Sequence, residues 1–208
     1  MLSDALDSTK AQVKQAAPTE IFDVFAAEQA RNTASGVAAV GSIVADFKLQ
    51  DATGGQVSLD EIVANGPAVL VFYRGSWCPY CNTTLHTYQQ GLVPELEKLG
   101  VRLVAISPQL PDGSLSMKEA NELEFSVLSD VGNEVARPLG ITYRQMQDVQ
   151  DAAAVFGTDL KVINGTGEAE LPHPTVLIVN QDKTIRFIDV HPDYTTRTEP
   201  EEIVAELR

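Results

Sequence analysis

Val69-Leu70-Val71-Phe72-Tyr73 runs straight into Arg74-Gly75-Ser76-Trp77-Cys78-Pro79-Tyr80-Cys81, so an apolar run ends in the only two cysteines of the chain. Consecutive apolar residues bounded by glycine and proline suit a strand buried on both faces. Pro79 suits the first turn of a helix, where its missing N–H would be unpaired anyway. Helical character continues through Thr83, Leu85, His86 and Tyr88 to Gln90, and Gly91 and Pro94 are expected to kink or restart the helix before it stops at Gly100. Val101-Arg102-Leu103-Val104-Ala105-Ile106 is the next buried strand. Strand, helix and strand in this order predict a βαβ unit, hence a parallel pair with a right-handed crossover. Residues 107 to 114, with Pro108, Pro111 and Gly113, are read as a loop at the carboxyl end of the second strand, where open α/β sheets line their ligand crevice.

Upstream, residues 4 to 34 carry apolar positions at helical spacing, including Ile21, Phe22, Val24 and Phe25, with a break at Pro18-Thr19-Glu20. They predict two helices packed against the main domain or a second subunit. Residues 1–41 are read as a helical N-terminal extension and small-residue linker, and residues 42–208 as the main domain. Phe47-Lys48-Leu49 and Val57 flank the Gly-rich turn Asp51 to Gly55, which predicts a hairpin. Ser58 and Glu61 have capping-box spacing for a short helix. Downstream, Ser116 to Glu122 and Asn133 to Pro138 are read as helices around a short strand at Phe125 to Leu128, and Tyr143 to Phe156 as a helix. Val176 to Val179 and Ile185 to Val190 form an expected antiparallel hairpin, and Thr198-Glu199-Pro200-Glu201 caps the last helix. The fold class is α/β, a central mixed sheet flanked by helices.

The composition narrows the function. With 208 residues, 44 % of them apolar, the chain can build one sizeable core. Its 15 basic against 29 acidic residues give a net charge of -14, which repels nucleic-acid phosphates and anionic membrane surfaces. No apolar run is long enough to cross a bilayer, and the N-terminus has neither the basic patch nor the apolar segment of a secretory signal. The chain is therefore expected to be soluble and cytoplasmic, where a close cysteine pair is more often redox-active than a structural disulfide.

A Cys-x-x-Cys at a strand-to-helix junction places Cys78 at about the N-cap and Cys81 one turn in, near enough to close a small disulfide ring. Unpaired N–H groups and the positive end of the helix dipole favour a thiolate there. An N-cap position faces solvent, so Cys78 is the expected nucleophile and Cys81 the resolving partner. Half of a zinc site, completed by His86, His173 or His191, is a weaker reading, as are two inert core cysteines. Arg74 could stabilise negative charge at the pair or merely cap the strand. Ser76 could donate a hydrogen bond to a sulfur or satisfy the turn. Trp77 and Tyr80 are expected to shield the loop, and His86 and His191 to be surface or satisfied histidines.

These residues resemble the thioredoxin-like superfamily, and within it the peroxiredoxin branch of alkyl hydroperoxide reductases and thiol-specific antioxidants. The similarity runs through Phe72-Tyr73, Trp77-Cys78-Pro79-Tyr80-Cys81, Val104-Ala105-Ile106-Ser107 and Leu128-Ser129-Asp130 before Val135-Ala136. Pro174-Thr175 looks like the thioredoxin-fold proline whose preceding peptide is cis, which would set His173 facing the pair. In the peroxiredoxin pattern Pro-x-x-x-Thr-x-x-Cys, the peroxide-attacking cysteine falls on Cys81, with Cys78 at the threonine position and Arg74 at the proline. The thioredoxin pattern makes Cys78 the attacking thiol. His173 stands near where the family has a peroxide-binding arginine, and could bond the thiolate or deliver a proton.

The resemblance implies a thiol peroxidase that reduces hydrogen peroxide or organic hydroperoxides. It would use Cys78, Cys81, His173 and Arg74 for catalysis and Trp77, Ser76, Tyr80 and Pro174 around the substrate. No cofactor or metal is implied. The expected partners are a dithiol reductant such as thioredoxin and a second copy of the chain as a homodimer. A protein disulfide reductase or isomerase using the same pair, and a non-catalytic redox-sensing or metal-binding module, are the alternatives.

Overall fold

The computed structural model describes residues 1–208. In chain order the elements are α1 (Leu2–Ala16), α2 (Thr19–Arg31), β1 (Lys48–Asp51), β2 (Gln56–Ser58), α3 (Leu59–Val63) and β3 (Ala68–Phe72). There follow α4 (Pro79–Thr87), a π-helical turn (Tyr88–Leu92), α5 (Val93–Lys98), β4 (Arg102–Ser107), α6 (Pro111–Ala120) and β5 (Ser126–Ser129). The chain closes with β6 (Thr142–Arg144), α7 (Gln147–Ala154), α8 (Leu160–Ile163), β7 (Glu170–Pro172), β8 (Thr175–Val179), β9 (Ile185–Val190) and α9 (Pro200–Leu207). Seven strands form one mixed sheet in the order β2-β1-β5-β4-β3-β8-β9, while β6 and β7 pair apart from it. No helix is long and apolar enough to cross a membrane.

β3 is an interior strand of the sheet, with β4 parallel on one side and β8 antiparallel on the other. All its residues are buried. Successive side chains of a strand alternate between faces, and here Val69, Val71 and Tyr73 enter one core while Ala68, Leu70 and Phe72 enter the other. The first core also holds Cys78, Cys81, Leu85 and Tyr88 from the helix after β3. The expected kink between α4 and α5 is the π turn: Pro94, in the first turn of α5, cannot donate to the preceding ladder.

The N-terminal extension adds to the same core. Leu2 and Leu6 of α1 are buried against it, and the first free N–H groups of α1 are taken by the carboxylate of Glu199, at 2.9 Å from Leu2 and 2.8 Å from Ser3. Glu199, rather than Thr198, is the N-cap of α9, reciprocated by Glu202. Through this one carboxylate both ends of the chain are joined. The linker is stitched down at Ala38, whose N–H reaches the Leu139 carbonyl at 2.9 Å, and at Gly41, which reaches Ile185 at 2.8 Å.

Several expectations from sequence need correction. Asn133 to Pro138 is a run of turns: Asn133 itself sits in the left-handed region at φ +55°, beside the Asp130 carboxylate that takes the N–H groups of Val135 and Ala136, each at 3.0 Å. Tyr143 to Phe156 is helical only over Gln147–Ala154; Tyr143 lies opposite Leu171 in the small sheet. The loop after β4 is shorter than residues 107 to 114, since Pro111 already opens α6. The His173–Pro174 peptide is trans: the chain passes extended from β7 into β8, with His173 N–H held by the Ile141 carbonyl and the Pro174 carbonyl by His191 N–H.

Gly140 fixes how the linker crosses the domain. Its φ is +69°, and a Cβ there would lie 2.1 Å from the backbone oxygen of Gly36. Gly140→Ala should cost about 3 kcal/mol, from positive-φ strain plus a backbone clash that no side-chain rotation relieves. Gly36→Ala, with φ +70° but open space around it, should cost about 1 kcal/mol. Urea unfolding of the two variants checks the order; equal costs would mean that the linker is not held at this crossing.

Candidate active site

The turn between β3 and α4 is built from backbone contacts that place both sulfurs. Gly75 has φ +155°, and a Cβ on it would meet Trp77 Nε1 at 2.3 Å and Gln109 Oε1 at 2.8 Å. Only glycine fits. Gln109, from the loop after β4, accepts the Ser76 N–H, and Asn82 Nδ2 donates to the Ser76 carbonyl at 2.7 Å. Ser76 thus satisfies the turn, and its hydroxyl bonds neither sulfur. Cys78 is the N-cap of α4, its carbonyl accepting N–H from Cys81 and Asn82, each at 3.1 Å.

Both cysteines are free thiols and both are sealed from solvent, Cys78 at 1 % and Cys81 at 0 % exposure. The expectation that the N-cap sulfur faces solvent is therefore corrected. Side chains from three parts of the chain cover it. The Arg74 guanidinium lies 3.8 Å from the ring centre of Tyr194 and 4.9 Å from that of Trp77, a cation held between two aromatic faces. Its Nη1 is 4.0 Å from Cys78 Sγ, and its Nη2 is 4.0 Å from Glu28 Oε2 of α2. Tyr80 packs beside Tyr194 with ring centres 6.1 Å apart. Trp77 bridges to the small cluster of Leu160, Ala169 and Leu171.

Arg197, in the loop before α9, serves the other sulfur. Its Nη2 donates to Cys81 Sγ at 3.4 Å, and its Nη1 to the Tyr194 carbonyl at 2.6 Å. The loop is braced by His191, whose Nδ1 lies 2.8 Å from Thr196 Oγ1 and whose Nε2 lies 3.0 Å from the Asp189 carboxylate. His191 is a satisfied histidine, as expected. His86 is exposed and pairs with Gln90.

The two sulfurs have opposite electrostatic surroundings. Burial raises the Cys81 thiol, but the bond from the Cys78 thiol, the Arg197 guanidinium, and the Arg74 backbone N–H outweigh it and bring Cys81 down to about 5. Burial and the neighbouring Cys81 charge push Cys78 well above its ordinary value. These surroundings favour the proton on Cys78 and the negative charge on Cys81, whereas exposure alone favours Cys78 as the thiolate.

His173 is buried and stacked on Tyr143, ring centres 4.6 Å apart at 13°. Neither ring nitrogen has a hydrogen-bond partner, so it bonds neither sulfur. Burial lowers it to about 4, leaving it neutral at pH 7 rather than an imidazolium. The contacts above gather Arg74, Trp77, Cys78, Tyr80 and Cys81, and none of them joins His173 or Pro174 to a sulfur. The structure also adds Glu28, Gln109, Tyr194 and Arg197. Only Glu28 left a trace in the sequence: it extends the apolar row Ile21, Phe25 at helical spacing, where a carboxylate must find a partner. The structure gathers no group of three or more His, Cys, Asp or Glu that could hold a metal ion.

The AhpC/TSA family model matches residues 40–188. A Mycobacterium tuberculosis protein named as a peroxiredoxin is 29 % identical over 127 residues, covering 60 % of this chain and 82 % of its own. The chloroplastic peroxiredoxin Q of Gentiana triflora is 25 % identical over 166 residues, covering 80 % of this chain and 63 % of its own. Among solved structures, the peroxidoxin BcpB of Mycobacterium tuberculosis superposes with a TM-score of 0.63 at 21 % identity, covering 81 % of this chain and 95 % of that one. It shares the thioredoxin-like fold. Because the matched span runs from the linker through β3, the cysteine helix and the β8–β9 hairpin, the chain belongs to the AhpC/TSA family.

Proposed function

We propose that the protein is a thiol peroxidase that reduces hydrogen peroxide or an organic hydroperoxide with Cys81 as the attacking thiolate and Cys78 as the resolving thiol. Family membership supports peroxidase chemistry, and the observation that carries the assignment of roles is the 3.4 Å contact of Arg197 with Cys81 Sγ. The Cys81 thiolate attacks the terminal, hydrogen-bearing oxygen of the peroxide, the O–O bond breaks, and Cys81 becomes a sulfenic acid. The departing alkoxide takes the proton from Cys78. That proton transfer leaves Cys78 as a thiolate one turn from the sulfenic acid, where it displaces hydroxide and closes the disulfide. Solvent protonates the hydroxide. Two electrons have left the thiol pair, and peroxide has become alcohol and water.

A dithiol reductant such as thioredoxin would return the pair to its reduced form by exchange, which requires the Tyr194–Arg197 cover to open. The same cover weighs against first attack on a protein disulfide, because both sulfurs are out of reach of a large substrate and only a small one needs a small opening.

With a thioredoxin recycling system the reduced protein should consume hydrogen peroxide or an alkyl hydroperoxide, and Cys81→Ser should abolish this. Cys78→Ser should lose turnover yet trap one sulfenic acid after a single addition of peroxide. Trapping in Cys81→Ser instead would return the attacking role to Cys78. Reduction of insulin disulfides without peroxide consumption would replace the peroxidase reading by the reductase one.

The thiolate is the reactive form, and its fraction falls as pH drops through the cysteine's pKa. Alkylation of Cys81 in the otherwise native protein should stay level from pH 8 to 7 and halve near pH 5, in line with its value of about 5. Arg197→Met should move the midpoint upward by about one to two units. An unmoved midpoint would remove Arg197 from the site.

A further inference from the structure

Glu28 is the single buried residue of α2, 2 % exposed on a helix whose other side chains are half-buried or exposed. A helix that docks through packing alone would bury an apolar residue there. Its Oε2 lies 4.0 Å from Arg74 Nη2, and neither carboxylate oxygen has a hydrogen-bond partner; burial raises its pKa above the ordinary carboxylate value, and the Arg74 guanidinium is the chief group favouring its charged form. Arg74, 4 % exposed, thus stands between two claimants, the Glu28 carboxylate and Cys78 Sγ, each 4.0 Å from its guanidinium. Residue 28 lies outside the span 40–188 that matches the family, so the contact comes from the N-terminal extension.

We propose that Glu28 is a positioning residue of the active site: by balancing the charge of Arg74 it keeps the proton on Cys78, so that Cys81 alone carries the negative charge. The inference rests on the assignment of Cys81 as attacking thiolate and Cys78 as its proton donor. An unbalanced Arg74 would draw the charge toward Cys78, leaving the alkoxide no proton and Cys81 a weaker nucleophile. The other charged groups near Glu28, Arg31 of its own helix and Asp148 of α7, pair with each other at 3.5 Å. Tyr143, Tyr194 and His173, which also face Arg74, are neutral at pH 7, because burial raises the tyrosines and lowers the histidine. The remaining charges facing Cys78 are those of Cys81 and Arg197. The first can be removed by substitution and the second is constant.

The test uses the full chain with Cys81→Ser, in which Cys78 is the only thiol, and reads the pH midpoint of iodoacetamide alkylation. No peroxide is involved, so the outcome is independent of whether the protein is a peroxidase. Glu28→Gln should lower the midpoint by about one unit, and Glu28→Met, a second charge-free variant of similar volume, should lower it alike. In an Arg74→Met background the Glu28 substitutions should have no effect, because a buried carboxylate without its counter-ion takes up a proton and the exchange then removes no charge. A midpoint unmoved by both Glu28 variants overturns the proposal, as does the same shift with Arg74 absent. Loss of melting temperature alone, with the midpoint fixed, assigns Glu28 to packing and overturns it equally.

Discussion

Two ionisable thiols buried side by side are the constraint around which this site is arranged. Taking an ion out of water costs several kcal/mol even after relaxation, unless charge and hydrogen bonds replace the lost hydration. At Cys81 the replacement comes from three directions: the Arg197 guanidinium, the Arg74 backbone N–H and the Cys78 thiol. Arg197 arrives from the C-terminal loop and the other two groups from the β3–α4 turn, so such a charge is tolerated only when that loop and the turn are both in place. The start of α4 adds its dipole. A helix N-terminus alone is worth about 1 kcal/mol, too little for a fully buried thiolate, and that shortfall explains why two arginines converge on this turn.

Arginines in a sealed site raise the same difficulty with opposite sign. Arg197 spends its charge on Cys81 and on loop carbonyls. Arg74 is laid between Tyr194 and Trp77, and cation–π contacts of about 2 kcal/mol each when desolvated offset part of its dehydration. The rest falls to Glu28. The family-matched span 40–188 supplies the sheet, both sulfurs and Arg74, but Glu28, Tyr194 and Arg197 lie beyond its two ends. The carboxylate of Glu199 that binds α1 to α9 holds those two flanks beside each other. Scaffold and electrostatic shell thus come from different parts of the chain.

How legible each part was in the sequence follows from the range of the forces involved. The buried strand, the helix start at Pro79, the hairpins at Asp51–Gly55 and Asn180–Lys183, and the Ser58 cap are local, and periodicity or turn chemistry shows them. Asn133 to Pro138 misled because its composition suits a helix, while Asn133 adopts the left-handed conformation beside Asp130, whose carboxylate holds the turn. Tyr143 was drawn into the small sheet by Leu171, a partner 28 positions on. At the site, the cysteines were legible and their electrostatic surroundings were not. Those surroundings depend on which sulfur a distant guanidinium reaches, and nothing around Arg197 in the sequence marks it as different from any surface arginine. The burial of Cys78 was hidden for the same reason, since its cover comes from residues 28 and 194.

Arg74 illustrates how one substitution can serve two purposes. In the pattern Pro-x-x-x-Thr-x-x-Cys this position holds proline, which has no N–H to offer. Arginine restores that N–H, and it is one of the groups that lower Cys81. The same residue places a guanidinium 4.0 Å from Cys78 Sγ, at the position where the pattern has threonine. A hydroxyl there can donate a hydrogen bond but cannot close a disulfide. A thiol can do both in the proposed reaction, donating to the Cys81 thiolate and bonding to it afterwards. The two departures from the pattern are therefore coupled: bringing a second cysteine to the N-cap of α4 puts a second ionisable thiol against the first. The environment must then decide which of them is charged, and Arg74, with its carboxylate partner, is positioned to make that decision.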